Sequence, residues 1–242
     1  MGVSPDDDLP PCDEPDIRLA RCPFVNWRTQ LVREDMKLPE AGHEPALIVA
    51  LGWFAIAGCV AMAASILIAD FVVPEHNWIA DTISDLGAGK YEFIVDIGIY
   101  AFSASLIAIA LLAAHVHMGG WGWSLGIAGF AFLALIVFLV GARNEYGDRD
   151  SDGVVIHIYL VYALGVLMAA IPLLMVKGAG RAGKFYGRTL VGIAVVWAIS
   201  APVFFFLPSS IDGIYERYLG LVAFSLVITL ATLFIKFARR LQ

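Results

Sequence analysis

Asp85, His157, Glu216 and Arg217 each stand where a polar turn gives way to an apolar stretch. A histidine grouped with carboxylates can relay protons or bind a metal, so these four are the candidate catalytic residues. A second set lies in the run Asp148-Arg149-Asp150-Ser151-Asp152-Gly153, whose alternate carboxylates followed by glycine form the first half of a calcium loop. Alternate acids converge on one hard cation while the glycine permits a sharp turn, which makes Asp148, Asp150 and Asp152 candidate calcium ligands. Val155 fits the apolar eighth position, but Tyr159 stands at the twelfth, where a bidentate glutamate would complete the loop. Glu145 or Glu216 would have to supply the missing ligand. The plain alternative is a solvated acidic loop.

Three turns carry an acidic, glycine-bearing run just ahead of an apolar stretch: Ser84-Asp85-Leu86-Gly87, Ser151-Asp152-Gly153 and Ile211-Asp212-Gly213. Asp85, Asp152 and Asp212 have the simpler role of capping helix N-termini, whose free amides and positive dipole end favour a carboxylate. Asp70, His76, Asp81, Asp96, Arg143 and Glu145 lie near the same boundary. Charges at membrane depth are costly and are usually paired or functional. Asp96, Arg143, His157, Glu216 and Arg217 are therefore expected to meet as one salt-linked cluster. His115 and His117, two apart at the far end of an apolar stretch, point in different directions and read as interface residues.

The elements that must position these groups are apolar. Of 242 residues, 60% are hydrophobic, more than a water-soluble core can absorb. They fall into six runs, at 46–73, 93–117, 121–142, 155–176, 189–207 and 218–237, each about the length that crosses a bilayer core roughly 30 Å thick. The predicted fold is all-α, six transmembrane helices forming three antiparallel hairpins. Gly122 and Gly126 make a small-xxx-small pair for helix packing, and Gly98, Gly165, Gly192 and Gly220 are read the same way. Trp121 and Trp123 are expected at the headgroup zone, and Pro172 and Pro202 are expected to kink their helices.

Lysines and arginines cluster on one side of this topology. The stretch before the first span holds Arg18, Arg21, Arg28, Arg33 and Lys37, the fourth connection Lys177, Arg181, Lys184 and Arg188, and the C-terminal end Lys236, Arg239 and Arg240. The other side has Lys90, Arg143, Arg149 and Arg217. This bias predicts a multi-pass protein of the cell membrane with both termini cytoplasmic. Residues 1–44 read as a cytoplasmic tail with no signal-peptide pattern, 45–238 as the transmembrane domain and 239–242 as a short C-terminal tail. Within the tail, residues 24–38 set Phe24, Trp27 and Leu31 near one face with Arg28 and Arg33, a pattern that suits an interfacial helix, with a plain flexible tail and an arm that docks on a larger membrane complex as the alternatives. A formal net charge of -6 and the lack of a basic motif argue against nucleic acid. Cys12, Cys22 and Cys59 have no metal-site spacing.

The run Ile83-Ser84-Asp85-Leu86-Gly87-Ala88-Gly89, His157 at the start of the fourth span and Glu216-Arg217 at the start of the sixth resemble the uncharacterised six-span proteins of bacteria and archaea catalogued as domain of unknown function 998. The resemblance covers residues 46–237 and implies a six-helix fold with a polar site at the extracytoplasmic face, carried by Asp85, His157, Glu216 and Arg217. The family's layout is remotely similar to eukaryotic membrane proteins linked to lipid remodelling and asymmetry, which implies membrane lipids as partners. Three functions follow in order of preference. The first is a lipid-binding protein or accessory subunit of a membrane complex, which the absence of a nucleophile motif favours. The second is a metal-dependent, membrane-embedded hydrolase or transferase acting on lipids, with calcium as one candidate cofactor. The third is a small-solute or ion transporter, which calls for deep polar residues or interrupted helices near the midplane, and spans three, four and six are too cleanly apolar to favour it.

Overall fold

A computed structural model describes residues 44–87, 90–142 and 156–242. The tail segment 24–38, Arg143, Glu145 and the acidic run with Asp148, Asp150 and Asp152 lie outside the described residues. The elements are α1 (Pro45–Val72), α2 (Ile83–Leu86), α3 (Glu92–His115), α4 (Trp121–Ala142), α5 (Ile156–Ala182), α6 (Lys184–Phe204) and α7 (Asp212–Arg239), with no strand among the described residues. All but the four-residue α2 are long and apolar enough to cross a membrane, so the chain is an all-α, polytopic membrane protein.

Neighbours in sequence are neighbours in space. α1 packs on α3, α3 on α4, α4 on α5, α5 on α6 and α6 on α7, and α7 closes the ring against α1. Small residues let the backbones approach. A Cβ on Gly58 would strike Ser105 and the Ala101 carbonyl, and one on Gly98 would strike Ser65, so α1 and α3 fit together only with glycine at both points. Gly122, Gly126 and Gly129 meet Leu174, Met175 and Ile171 in the same way across α4 and α5. Gly165, Gly192 and Gly220 do not share this role, because a Cβ at each would meet nothing within 4 Å.

Two boundaries differ from the sequence reading. The fourth run ends at residue 176 and the fifth begins at 189, on either side of a charged stretch, yet α5 continues to Ala182 and α6 starts at Lys184 with only Gly183 between them. Lys177, Arg181, Lys184 and Arg188 thus ride on helical turns rather than a loop. A helix need not end where the apolar segment ends, since its backbone bonds are internal. Likewise α7 begins at Asp212, six residues before the apolar run, and carries Glu216 and Arg217 on its first turns. Pro172 is accommodated within an unbroken α5, whereas α6 ends two residues after Pro202. Trp121 is exposed, but Trp123 is buried and its indole donates to the Ala113 carbonyl at 2.8 Å.

The chain turns place unlike charges at the two ends of the bundle. The Glu44 amide lies 3.4 Å from His115 Nε2, so the start of α1 and the end of α3 share one end, with Lys236 and Arg239 in the last turn of α7. Asp70, Asp81, Asp96 and Glu216 lie toward the other. These are called the basic and acidic ends below.

Candidate functional site

At the acidic end, the segment 73–82 between α1 and α2 folds over the start of α7. Glu75 turns it with φ 61°, a left-handed conformation costing a non-glycine residue about 1–2 kcal/mol. The first-turn amides of α7, which no helix can satisfy internally, donate to this segment: Gly213 to the Ala80 carbonyl at 3.2 Å and Ile214 to the Ile79 carbonyl at 3.0 Å. Gly213 is required here, because a Cβ would collide with the Asp81 carbonyl.

Arg217 locks the contact. Its Nη1 donates to the carbonyls of Asp81 and Gly213 at 3.0 and 2.9 Å, and its Nη2 donates to Asp70 Oδ1 at 2.6 Å. His76 completes the group. Its Nε2 lies 3.0 Å from Asp70 Oδ1 and 3.2 Å from Arg217 Nη2, and its Nδ1 lies 3.4 Å from Asp81 Oδ2. The Arg217 and Asp70 side chains are only 15% and 13% exposed, so each charge depends on the other rather than on water.

The short α2 is held just as closely. Thr82 caps it: its hydroxyl accepts from the Asp85 amide at 3.0 Å, and Asp85 Oδ2 accepts from the Thr82 amide and hydroxyl at 2.7 and 2.8 Å, forming a capping box. From α7, Glu216 Oε2 accepts the Ile83 amide at 2.5 Å. Ser84, on the next position, faces His157 on the first turn of α5, with Oγ 3.5 Å from Nε2.

Beneath α2 the six long helices line a partly open chamber of about 220 Å³. Ser84, Asp96, His157 and Glu216 border it together with Ile83 and Gly87. Its walls are Met62 of α1, Ile99 and Phe102 of α3, Val137 and Val140 of α4, Val161 and Leu164 of α5, Trp197 and Ala201 of α6, and Leu219 and Ala223 of α7. Glu216 and Ala223 are seven residues apart on α7, so the chamber runs about 10 Å along the helix at about 1.5 Å per residue. Its polar side chains therefore gather at one end. Trp197 spends its indole N–H on the Gly165 carbonyl at 2.9 Å, and that wall presents an apolar face. Gly165 and Gly220 also line the chamber, with open space where their side chains would be.

The single cluster expected of Asp96, Arg143, His157, Glu216 and Arg217 divides in two. Glu216 and Arg217 are consecutive on a helix and point about 100° apart, so Arg217 reaches Asp70, His76 and Asp81 while Glu216 reaches α2 and the chamber. Asp96 and His157 border the chamber, and Asp85 serves the capping box. Asp212 lies in the first turn of α7, where Ile211 holds the cap position, and its buried Oδ1 has no hydrogen-bond partner among the described residues. Sequence reasoning missed Ser84 as the partner of His157, 73 residues away, and Thr82 as the true cap. The Thr82-to-Asp85 spacing of a capping box was the available signal for the second. Among the described residues no three of histidine, cysteine, aspartate and glutamate converge as a metal-binding group. His115 accepts from the Glu44 amide, and His117 Nε2 lies 3.0 Å from Ser124 Oγ, so these histidines tie helix ends at the basic end.

The fold and site define a class: a six-span helical bundle around an apolar chamber, bordered at its acidic end by a small polar cap. The chain belongs to the family described as "Protein of unknown function (DUF998)", whose profile matches residues 56–233. No curated protein and no solved structure matches it.

Proposed function

We propose that the protein binds a membrane lipid, with an apolar chain in the chamber and the polar end of the molecule at Ser84, Asp96, His157 and Glu216. The observation that carries this reading is the polarity gradient of the chamber, apolar along its length and polar only beneath α2. An acyl chain lying along the apolar walls matches their polarity. Bilayer tails are as apolar as the walls, so selection among lipids falls to the four polar groups at the mouth.

We further infer that the basic end faces the cytoplasm, with both termini there and the lipid site at the extracytoplasmic face of the cell membrane; the lysine and arginine bias supports this. A reporter active only on one side, fused at the C-terminus, tests the orientation. Activity on the cytoplasmic side is expected, and activity on the opposite side overturns it.

The binding reading is tested with Gly220→Leu and Gly165→Leu. Both substitutions enter open space, so the fold should survive while the chamber fills. Lipid released from purified, denatured protein is quantified by mass spectrometry. The wild type is expected to carry about one lipid per chain and the variants several-fold less at an unchanged melting temperature. Equal lipid in all three would contradict the proposal.

A further inference from the structure

Building on the lipid-binding reading, we propose that Ser84 and His157 form a nucleophile and general-base pair that cleaves an acyl ester of a membrane lipid whose chain occupies the chamber. Ser84 Oγ stands 3.5 Å from His157 Nε2, both residues border the chamber, and they come from separate elements, α2 and α5. Such pairs are often longer before substrate arrives than the roughly 2.6–3.2 Å of the working hydrogen bond. His157 is 7% exposed, so its ring is shielded from bulk water at the mouth of an apolar cavity.

The first turn of α2 supplies a further element. The Ile83 amide is taken by Glu216, the Asp85 amide by the Thr82 hydroxyl and the Leu86 amide by the Thr82 carbonyl. The capping box and Glu216 make α2 a fixed platform, so Glu216 is a positioning residue.

In the first half-reaction Ser84 Oγ bonds to the ester carbonyl carbon, the carbonyl π pair moves onto oxygen, and the hydroxyl proton passes to His157 Nε2. The oxyanion collapses, the ester C–O bond breaks, and the departing alcohol oxygen takes the proton from Nε2, leaving the acyl group on Ser84. Water then attacks the acyl carbon and gives a proton to Nε2. The carboxylic acid leaves as that proton returns to Ser84 Oγ. Ester and water become acid and alcohol, with no oxidant or metal in the balance.

The full chain, purified in detergent, is treated with a long-chain fluorophosphonate, which phosphonylates activated serines, and the modified peptide is mapped by mass spectrometry. Release of acid from a long-chain p-nitrophenyl ester and retained lipid are measured on the same samples. The expected result is an adduct on Ser84, reduced at least tenfold in His157→Gln, absent in Ser84→Ala, and accompanied by ester turnover that falls in the same order. Ser84→Ala removes one oxygen and keeps the fold testable if the histidine variant does not accumulate. An adduct on another serine, or none while wild type and Ser84→Ala both retain lipid, overturns the esterase and leaves the binding site standing. No adduct together with no retained lipid overturns both.

Discussion

At the acidic end Arg217 is bonded to Asp70 and to the Asp81 carbonyl, and His76 lies between the two aspartates. At the basic end Lys177, Lys184, Arg188, Arg239 and Arg240 are exposed, and among the described residues none pairs with a carboxylate. Arg181 donates to the Met118 carbonyl and Lys236 sits over the Tyr186 ring, 5.9 Å from its centroid. The contrast reflects what solvates each charge. Cations at the end of a span reach water and anionic headgroups without help from the protein. Charges folded beneath a cap must satisfy one another, and in doing so they fix the segment that carries them. The acidic end is therefore built to hold a geometry, and the basic end to sit in a membrane surface.

Substitutions should expose that difference. The largest effect is expected from Arg217→Met, which strands Asp70 beside a buried imidazole. Breaking such a pair costs about 3–5 kcal/mol, against about 0.5 kcal/mol or less for Lys184→Met or Arg239→Met. Melting temperatures in detergent compare the three, and equal losses at both ends would remove the distinction. Next is Gly213→Ala, which pushes the Asp81 carbonyl off α7 and should cost about 1–3 kcal/mol as overpacking does. Gly192→Ala, in open space on α6, should leave stability unchanged or raise it by about 1 kcal/mol through helix propensity. Thr82→Ala should cost about 1 kcal/mol for a lost cap. Its sharper readout is faster hydrogen exchange confined to residues 79–87. Exchange that rose equally across α5 and α6 would mean that α2 is not a separate cap.

The fold was largely legible because a bilayer leaves few choices: a long apolar run must become a helix, and α4 begins and ends where its run does. Legibility failed where helices pass beyond the apolar segment, as at Lys177–Arg188 and Asp212–Arg217, since charge marks the membrane boundary and not the end of hydrogen bonding. At the site, composition showed that Asp85, His157, Glu216 and Arg217 lie toward one end but not which of them meet. That depends on helix rotation, which sends the neighbours Glu216 and Arg217 to different partners. The chamber itself was invisible, because Gly165 and Gly220 read as packing glycines until their surroundings were seen to be open. Ser84 and His157 come together only through the contact of α2 with the bundle, a long-range event that local spacing does not encode.

The most direct test of the lipid chamber is photo-crosslinking in membranes with a phospholipid carrying a diazirine on its acyl chain, followed by mapping of the labelled residues. The account predicts crosslinks to Phe102, Leu219 and Ala223 inside the ring, lost in Gly220→Leu. Labels confined to outward side chains such as Phe71, Phe132 and Leu221, and unaffected by Gly220→Leu, would show that lipid only bathes the bundle and would contradict it.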